Sequence, residues 1–190
     1  MYNSVAETIR TASFQVATII TTTGYATADF DLWPTTSKFI IIMLMIVGAC
    51  AGSTGGGIKV SRIVVVIKTI GKELNTYIHP KSVKKIQFEG KPIEHEVLRA
   101  INVYMIAYLV VFFISAFILS FENLDMTSTF TAVLASLNNI GPGLSKVGPS
   151  CNFGFFSNLS KVVLIIDMLA GRLEILPMLV LLSPATWKKD

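Results

Sequence analysis

The uninterrupted apolar run from Ile101 to Phe121 constrains the fold of this chain more than any other feature. A helix needs about 20 apolar residues to cross the ~30 Å hydrocarbon core of a bilayer, and this run is long enough. Of the whole chain, 52% is hydrophobic and 15% is charged, whereas a soluble domain carries about 25% charged residues. The sequence therefore predicts a membrane protein, and its net charge of +4 does not indicate nucleic-acid binding.

A glycine-rich interruption divides a second apolar region. Lys38–Gly52 and Ile58–Ile70 are apolar, and Ser53–Gly57 lies between them. Each glycine costs a helix up to about 1 kcal/mol relative to alanine. Non-helical backbone at membrane depth is tolerated only where it is buried in protein or lines a water-filled cavity. We therefore predict one broken transmembrane helix whose interruption serves function.

The last apolar segment, Lys161–Leu182, is a further candidate span that contains charged residues. Asp167, Arg172 and Glu174 lie within it, and Pro177 is expected to bend its last turns. Each of these charges costs about 2.5 to 3.5 kcal/mol at a helix centre, so they must be paired or hydrated. This segment is expected to face something other than lipid.

Two shorter segments, Ser4–Ile20 and Met126–Leu137, are rich in Thr, Ser and Ala, and each runs into a polar stretch with glycine. They are typical of re-entrant helices. The order of short helix, glycine strand and apolar segment occurs twice, which indicates an internal repeat. Residues 1–70 then form the first unit, 71–99 a linker and 100–190 a complete second unit.

Charge placement predicts the orientation. The linker is basic, whereas acidic residues flank both glycine strands, and cytoplasmic loops of membrane proteins retain Lys and Arg. The linker is therefore expected in the cytoplasm and the glycine strands on the outer side. Because no span brings the first short helix to that side, we expect the chain to be truncated or a partial gene product. The linker residues are Lys72, Lys81, Lys84, Lys85, Lys91 and Arg99, and the acidic residues are Asp29, Asp31, Glu122 and Asp125.

The first glycine strand has the form of an ion filter. A permeating cation loses its water, and main-chain carbonyls from an extended strand compensate, with glycine where φ is positive. Thr22-Thr23-Gly24-Tyr25 has this form and is close to the TVGYG strand of potassium channels. A simple turn that caps an amphipathic helix is the alternative interpretation.

Four motifs in order, TTTGYAT, GSTGGGIKV, NNIGPGL and DMLAGRLEILP, closely resemble the C-terminal half of the Trk/Ktr/HKT potassium transporter superfamily, particularly its bacterial Trk-type subunits. The resemblance implies an all-α membrane protein in which M1-pore-M2 repeats, each with a re-entrant pore helix and a filter strand, surround one pore. It implies that Gly24 and Gly141 are the filter glycines of the third and fourth repeats, with the first M1 helix missing here. The other implied filter residues are Thr22, Thr23, Tyr25, Asn139 and Ile140, with potassium bound at Thr23, Gly24, Ile140 and Gly141.

The resemblance also implies that the glycine-rich interruption is an intramembrane gate. A phosphate-binding loop is the rival interpretation, because Gly52 and Gly57 have GxxxxG spacing. However, Ile58-Lys59-Val60 replaces the required Lys-Ser/Thr and no β-strand is expected before it. A flexible kink without a gating role also stays open. The implied gate residues are Gly52, Ser53, Thr54, Gly55, Gly56, Gly57 and Lys59.

Arg172 matches the arginine of the family's last span. The resemblance implies that it faces the pore near the gate loop, where its charge raises the barrier to cations in the closed state. A structural ion pair with Asp167 or Glu174, or snorkelling toward the cytoplasmic face, is the alternative. Lys59 and Arg62 are expected to snorkel or to contact the loop.

These features predict potassium uptake across the cytoplasmic membrane by a multi-pass protein that is not an enzyme. No cofactor, metal motif or nucleic-acid partner is expected, and potassium is the transported substrate. The expected partners are membrane lipid, a second copy or the missing N-terminal half, and a cytosolic nucleotide-binding regulatory subunit. A non-conducting assembly module and a sodium- or proton-coupled symporter are the alternatives.

Overall fold

The computed structural model of the chain describes residues 4–48, 50, 52–53, 55–80, 86–88, 90–182 and 184–187, and this part is mostly helical. Lys81, Lys84 and Lys85 of the basic linker lie outside the described residues. The helices are α1 (Val5–Ile20), α2 (Thr35–Ile46), α3 (Val60–Ile78), α4 (His95–Ser120), α5 (Met126–Leu137), α6 (Asn158–Leu173) and α7 (Ile175–Leu182). Short 3-10 turns occupy Phe30–Leu32, Ser145–Val147 and Pro184–Trp187.

The linker contains the two paired strands that the described residues show. Strands β1 (Gln87–Phe88) and β2 (Lys91–Pro92) pair antiparallel across a turn at Gly90. The Lys68 ammonium donates to the Gln87 carbonyl oxygen at 2.8 Å, which holds this hairpin against the middle of α3.

Helix α4 contains the apolar run from Ile101 as far as Ser120, and Phe121 follows as its C-cap. It has 26 residues and, among the described residues, is the one helix long and apolar enough to cross a membrane. α2 and α5 are shorter apolar helices. Because α4 is about 39 Å long at 1.5 Å per residue, it covers the hydrocarbon core with a turn or more to spare.

The broken helix is interrupted over a longer stretch than expected. α2 ends at Ile46 rather than continuing to Gly52, and α3 begins at Val60. The chain leaves the helix at Val47, which is extended, and Gly48 then packs so closely on the returning loop that a Cβ there would lie 2.5 Å from the Gly56 carbonyl oxygen. The amide of Gly48 instead donates to the Ile58 carbonyl oxygen at 2.8 Å, so the two ends of the interruption are tied together.

The last apolar segment is divided into α6 and α7 rather than bent at Pro177. The break lies at Glu174, whose φ is 66°. Proline has no N–H, so Pro177 leaves the carbonyl of Leu173 without its helical donor, one turn before the proline itself. The expectation of a bend in the last turns therefore misplaced the discontinuity by about one turn.

Helix α5 lies at the centre of the fold. Every residue from Ser128 to Leu137 is buried except Phe130, and the helix packs against α2, α4 and α6. Its N-terminus is capped by Asp125, whose Oδ2 accepts from the Ser128 amide at 2.9 Å. One hydrophobic cluster joins it to the first unit; that cluster contains Ile19, Phe30, Ile41, Met45, Leu134, Ala135, Ile140 and Leu144.

Candidate functional site

The loop after α1 leaves its helix through a left-handed turn. Thr22 has a φ of 54°, its amide donates to the Ile19 carbonyl oxygen at 3.1 Å, and the Thr23 amide donates to Thr18 at 2.9 Å. This is the Schellman hydrogen-bond pattern, which uses the last helical carbonyls and turns the chain away from the helix axis. It places a β-branched residue in a region of backbone space that normally favours glycine.

The loop after α5 has the same construction in the same register. Asn139 also has a φ of 54°, its amide donates to Ser136 at 3.0 Å, and the Ile140 amide donates to Ala135 at 2.9 Å. The two helices that were predicted as a repeat of shape thus end in equivalent main-chain hydrogen bonds. Both loops then reach a glycine at positive φ, 79° at Gly24 and 103° at Gly141.

The two glycine strands meet. A Cβ added to Gly24 would overlap the carbonyl oxygen of Ile140, and a Cβ added to Gly141 would lie 4.0 Å from the Gly24 Cα. Gly24 therefore has neither the space nor the backbone conformation for a side chain. The structure brings these predicted residues together although they come from opposite ends of the chain.

A cavity of about 570 Å³ lies beside this meeting point. In the described part of the chain, no hydrogen bond ends at the carbonyl oxygens of residues 22–25 or 138–141. Carbonyl oxygens that accept no hydrogen bond from the protein stay available to water or to a cation, so this set is suited to bind a cation. The cavity is lined by Thr22, Thr23, Ala135, Ser136, Asn139, Ile140, Gly141, Phe153, Gly154, Lys161, Leu164, Ile165 and Met168.

The side chains around the strands are unequally placed. Ile140 is buried at 3% exposure and Asn139 donates through Nδ2 to the Met168 carbonyl oxygen at 2.9 Å, so the second strand is anchored to α6. Thr23 is exposed in this chain, and Tyr25 is 74% exposed. Tyr25 therefore contributes its main chain to the first strand, while its ring projects away from the packing.

Electrostatics at the cavity follows from the helix directions. Both strands directly follow the C-terminal ends of α1 and α5. A helix C-terminus carries a partial negative charge, which favours a cation nearby. Lys161 lines the cavity, and its ammonium donates to the Gly154 carbonyl oxygen at 2.8 Å.

The predicted gate loop lies directly against the end of α5. A Cβ added to Gly56 would overlap the Asn138 carbonyl oxygen, and one added to Gly57 would lie 3.0 Å from Asn138 Oδ1. Gly52, at a φ of 84°, has open space around it. The amide of Gly55 donates to Ser53 Oγ at 3.1 Å, and Thr54 lies outside the described residues.

Sequence reasoning missed Asn138 as a site residue. It is fully buried, and its Oδ1 accepts from the Tyr108 hydroxyl at 3.1 Å, while its Nδ2 has no partner among the described residues. It therefore lies between the gate loop and the filter strand that follows it. The sequence feature that could have indicated it is the pair of asparagines at the end of the second short helix. Asparagine is common at the ends of ordinary helices, so the pair alone does not point to a site.

The charges of the last segment have partners that the sequence did not predict. Glu174 accepts from Lys59 Nζ at 3.2 Å and from Arg62 at 3.0 Å. The Arg62 guanidinium also lies 3.9 Å from the centre of the Tyr104 ring. Lys59 and Arg62 thus join the start of α3 to the α6–α7 break.

Arg172 and Asp167 lie on different sides of α6. Arg172 is exposed and lies one turn beyond Met168, on the helix face that lines the cavity. Asp167 is buried at 1% exposure, and its Oδ1 accepts from the Ser115 hydroxyl of α4 at 2.7 Å. Glu174 pairs with Lys59 and Arg62, and Asp167 bonds to Ser115, so the expected alternative of an ion pair between Arg172 and either carboxylate is not what these contacts show.

In the loop between α4 and α5, two carboxylates accept hydrogen bonds at helix N-termini. Glu122 Oε1 accepts from the Ser157 amide at 3.0 Å and from the Ser160 hydroxyl at 2.6 Å. These hydrogen bonds hold the pKa of Glu122 below its ordinary value of 4.5. Hydrogen bonds from Ser128 likewise lower the pKa of Asp125.

The rival phosphate-binding interpretation finds no support in the fold. The element before the glycine-rich loop is the helix α2, whereas a P-loop follows a β-strand. In the described ranges, no group of three or more His, Cys, Asp or Glu side chains could hold a metal ion.

Comparison with known proteins gives consistent matches over nearly the whole chain. The profile of the TrkH family, described as a cation transport protein, matches residues 2–189. The chain is 37% identical over 189 residues to the Trk system potassium uptake protein TrkH of Escherichia coli (strain K12) and 36% identical to that of Salmonella typhimurium. These alignments cover 100% of this chain and 39% of each relative.

A solved structure matches equally well. The crystal structure of the potassium transporter TrkH from Vibrio parahaemolyticus superposes with a TM-score of 0.89 at 38% identity, covering 98% of this chain and 40% of that one. The chain therefore spans about two fifths of the length of the relatives that it matches.

Proposed function

Since the chain belongs to the TrkH family of cation transport proteins, we propose that it forms part of a pathway that carries potassium into the cell through main-chain carbonyl oxygens. The family consists of membrane transporters with an all-α fold and not of enzymes. The observation that carries the proposal is the meeting of the Gly24 and Gly141 strands beside a cavity, with carbonyl oxygens that accept no hydrogen bond in the described residues.

In this proposal the carbonyls of Thr23, Gly24, Ile140 and Gly141 replace the water around potassium. The re-entrant helices α1 and α5 aim their negative C-terminal ends at the ion. The filter strands face the outer side of the cytoplasmic membrane, and the basic linker faces the cytoplasm. No cofactor and no nucleic acid take part.

The loop that contains Gly55, Gly56 and Gly57 acts as the gate. Its contact with Asn138 supports this role, because movement of the loop must change the packing under the second filter strand. Arg172 lies on the cavity-lining face of α6, where its positive charge raises the barrier to cations while the gate is closed.

The chain supplies two filter strands, and the family's pore needs more. Further strands come from additional repeats or from a second copy of the chain, within a lipid bilayer. A cytosolic nucleotide-binding regulatory subunit docks on the linker face.

Uptake measurements test this function. The full gene product that carries this chain is expressed in cells that lack their own potassium uptake, and rubidium and sodium influx are compared. Gly24→Ser is expected to lower the preference for potassium-like ions about tenfold, equivalent to about 1.4 kcal/mol, because a side chain at Gly24 displaces the Ile140 carbonyl. Ser13→Ala, on the exposed face of α1, is the control.

An unchanged ion preference in Gly24→Ser contradicts the filter. Absence of any influx through the parent protein favours the assembly-module alternative. Dependence of influx on an imposed sodium or proton gradient favours a symporter over a channel-like path.

A further inference from the structure

Each candidate pore helix carries a buried polar side chain that holds the strand returning from its own filter loop. On α1, Gln15 is 0% exposed and its Nε2 donates to the Ala28 carbonyl oxygen at 3.2 Å. On α5, Thr131 is 3% exposed and its Oγ1 accepts from the Leu144 amide at 3.0 Å. In both cases the bonded residues are 13 positions apart, and the filter glycine lies between them.

The Thr131 hydroxyl lies near two carbonyl oxygens, and the Thr127 oxygen at 2.7 Å is much closer than the Leu144 oxygen at 3.4 Å. The hydroxyl donates to the Thr127 carbonyl oxygen within α5, which leaves a lone pair for the Leu144 amide. The returning strand lies close, because a Cβ added to Gly143 would be 2.9 Å from Thr131 Oγ1. An apolar residue of the same shape could fill this position but could not hold the amide.

Gln15 holds its strand through a longer side chain, and the burial of that side chain costs free energy. Within the described part of the chain its Oε1 is buried without a partner, and an unsatisfied buried polar atom is unfavourable. Leucine or methionine would avoid that cost within the packing of α1 and α2. The amide is therefore better explained by its bond to Ala28 than by the hydrophobic core around it.

Neither side chain touches the candidate ion path. The residues that line the cavity do not include Gln15 or Thr131. Both contact the chain behind the filter, after the glycine, where a bond resists movement of the strand toward the cavity. They can influence an ion only through the position of the carbonyl oxygens.

We propose that Gln15 and Thr131 are positioning residues that fix the distance between pore helix and filter strand, and thereby set the preference for potassium over sodium. The inference rests on the proposed function. A smaller ion is coordinated well only if the carbonyls close around it, and the cavity size and the number of carbonyls both govern this preference. The two braces oppose that closure, one in each loop.

The test compares matched variants of the full gene product in proteoliposomes, with rubidium and sodium fluxes measured under identical gradients. Thr131→Val removes the hydroxyl at nearly constant shape, and Thr131→Ser retains it. Thr131→Val is expected to lower the rubidium to sodium flux ratio at least about fivefold, whereas Thr131→Ser keeps the parent ratio. Gln15→Met is expected to behave like Thr131→Val, and Ser13→Ala, whose hydroxyl bonds within its own turn, like the parent.

The outcomes separate this inference from the proposed function. If the parent protein carries no rubidium, both the proposed function and this inference are wrong. If the parent conducts rubidium and both Thr131→Val and Gln15→Met keep its rubidium to sodium flux ratio, the positioning role is wrong. The proposed function is then unaffected. If one variant fails to assemble, the other decides, since they lie on separate helices. Failure of both to assemble also overturns the proposal, because the residues then serve stability alone.

Discussion

Thr22 and Asn139 occupy the same left-handed position where their loops leave α1 and α5. Asparagine tolerates this region, whereas a β-branched residue pays about 1 to 2 kcal/mol there. The Schellman bonds of both turns offset part of that cost by using the last helical carbonyls. At this scale the loops are fixed by main-chain bonds rather than by the identity of each side chain.

Glu122 gives a pH-dependent prediction at the residue scale. Its folded pKa is lowered by the Ser157 and Ser160 hydrogen bonds, so its contribution to stability is present above the unfolded pKa near 4.5 and is lost as the pH falls through the folded pKa. We expect the melting temperature of the parent protein to fall further between pH 6 and pH 3.5 than the melting temperature of Glu122→Gln. Thermal unfolding in detergent measures this, and equal losses in both proteins would contradict it.

At the scale of elements, the contact between the glycine-rich loop and α5 is the point where, under the proposed function, gate and filter are coupled. Gly56 touches the Asn138 carbonyl, and Asn138 is held from the other side by Tyr108 of α4. Three elements thus meet at one buried amide. Any displacement of the loop must repack this point, because a close-packed interior transmits strain.

Gly56→Ala tests that coupling. The added methyl group overlaps the Asn138 carbonyl oxygen, so the loop or the end of α5 must shift, at a cost of about 1 to 3 kcal/mol. We expect a lower melting temperature and altered rubidium influx. Gly71→Ala in α3 is the control, since nothing lies within 4 Å of its added Cβ and alanine favours helix. Identical behaviour of the two variants would argue against the contact.

At the scale of the whole molecule, polar contacts tie the two units together at both ends. Ser150 donates to Asp29 Oδ2 at 2.8 Å between the loops that follow the filter strands. Lys59 and Arg62 meet Glu174 between α3 and the α6–α7 break. These contacts join parts of the chain that are far apart in sequence, so they hold the units in one orientation.

A double-mutant cycle measures the second tie. Glu174→Gln and Arg62→Leu are each expected to lower stability by about 1 kcal/mol or less, because Glu174 is partly exposed, which corresponds to about 2 to 4 °C in melting temperature. The double variant is expected to lose less than the sum of the single losses. Additive losses would show that the pair does not interact.

Local signals predicted part of this fold and long-range contacts decided the rest. The segments predicted as short helices coincide with α1 and α5. Their hydropathy and their N-caps, Ser4 and Asp125, depend only on residues that are close in the sequence. The early end of α2 depends on Gly48 packing against Gly56, and the partners of Glu174 lie across the chain. Asn138 escaped notice for the same reason, since its contacts with Gly56 and Tyr108 appear only after folding.

The unequal anchoring of the two filter strands has a mechanical consequence under the proposed function. Ile140 is buried and Asn139 is bonded to α6, whereas Thr23 is exposed and, of the described residues, its hydroxyl bonds to the neighbouring Thr21 hydroxyl alone, at 2.8 Å. The α5 side is therefore the stiff wall and the α1 side the compliant one. Under the proposed function, an ion of a different radius is therefore expected to displace the α1 strand further than the α5 strand.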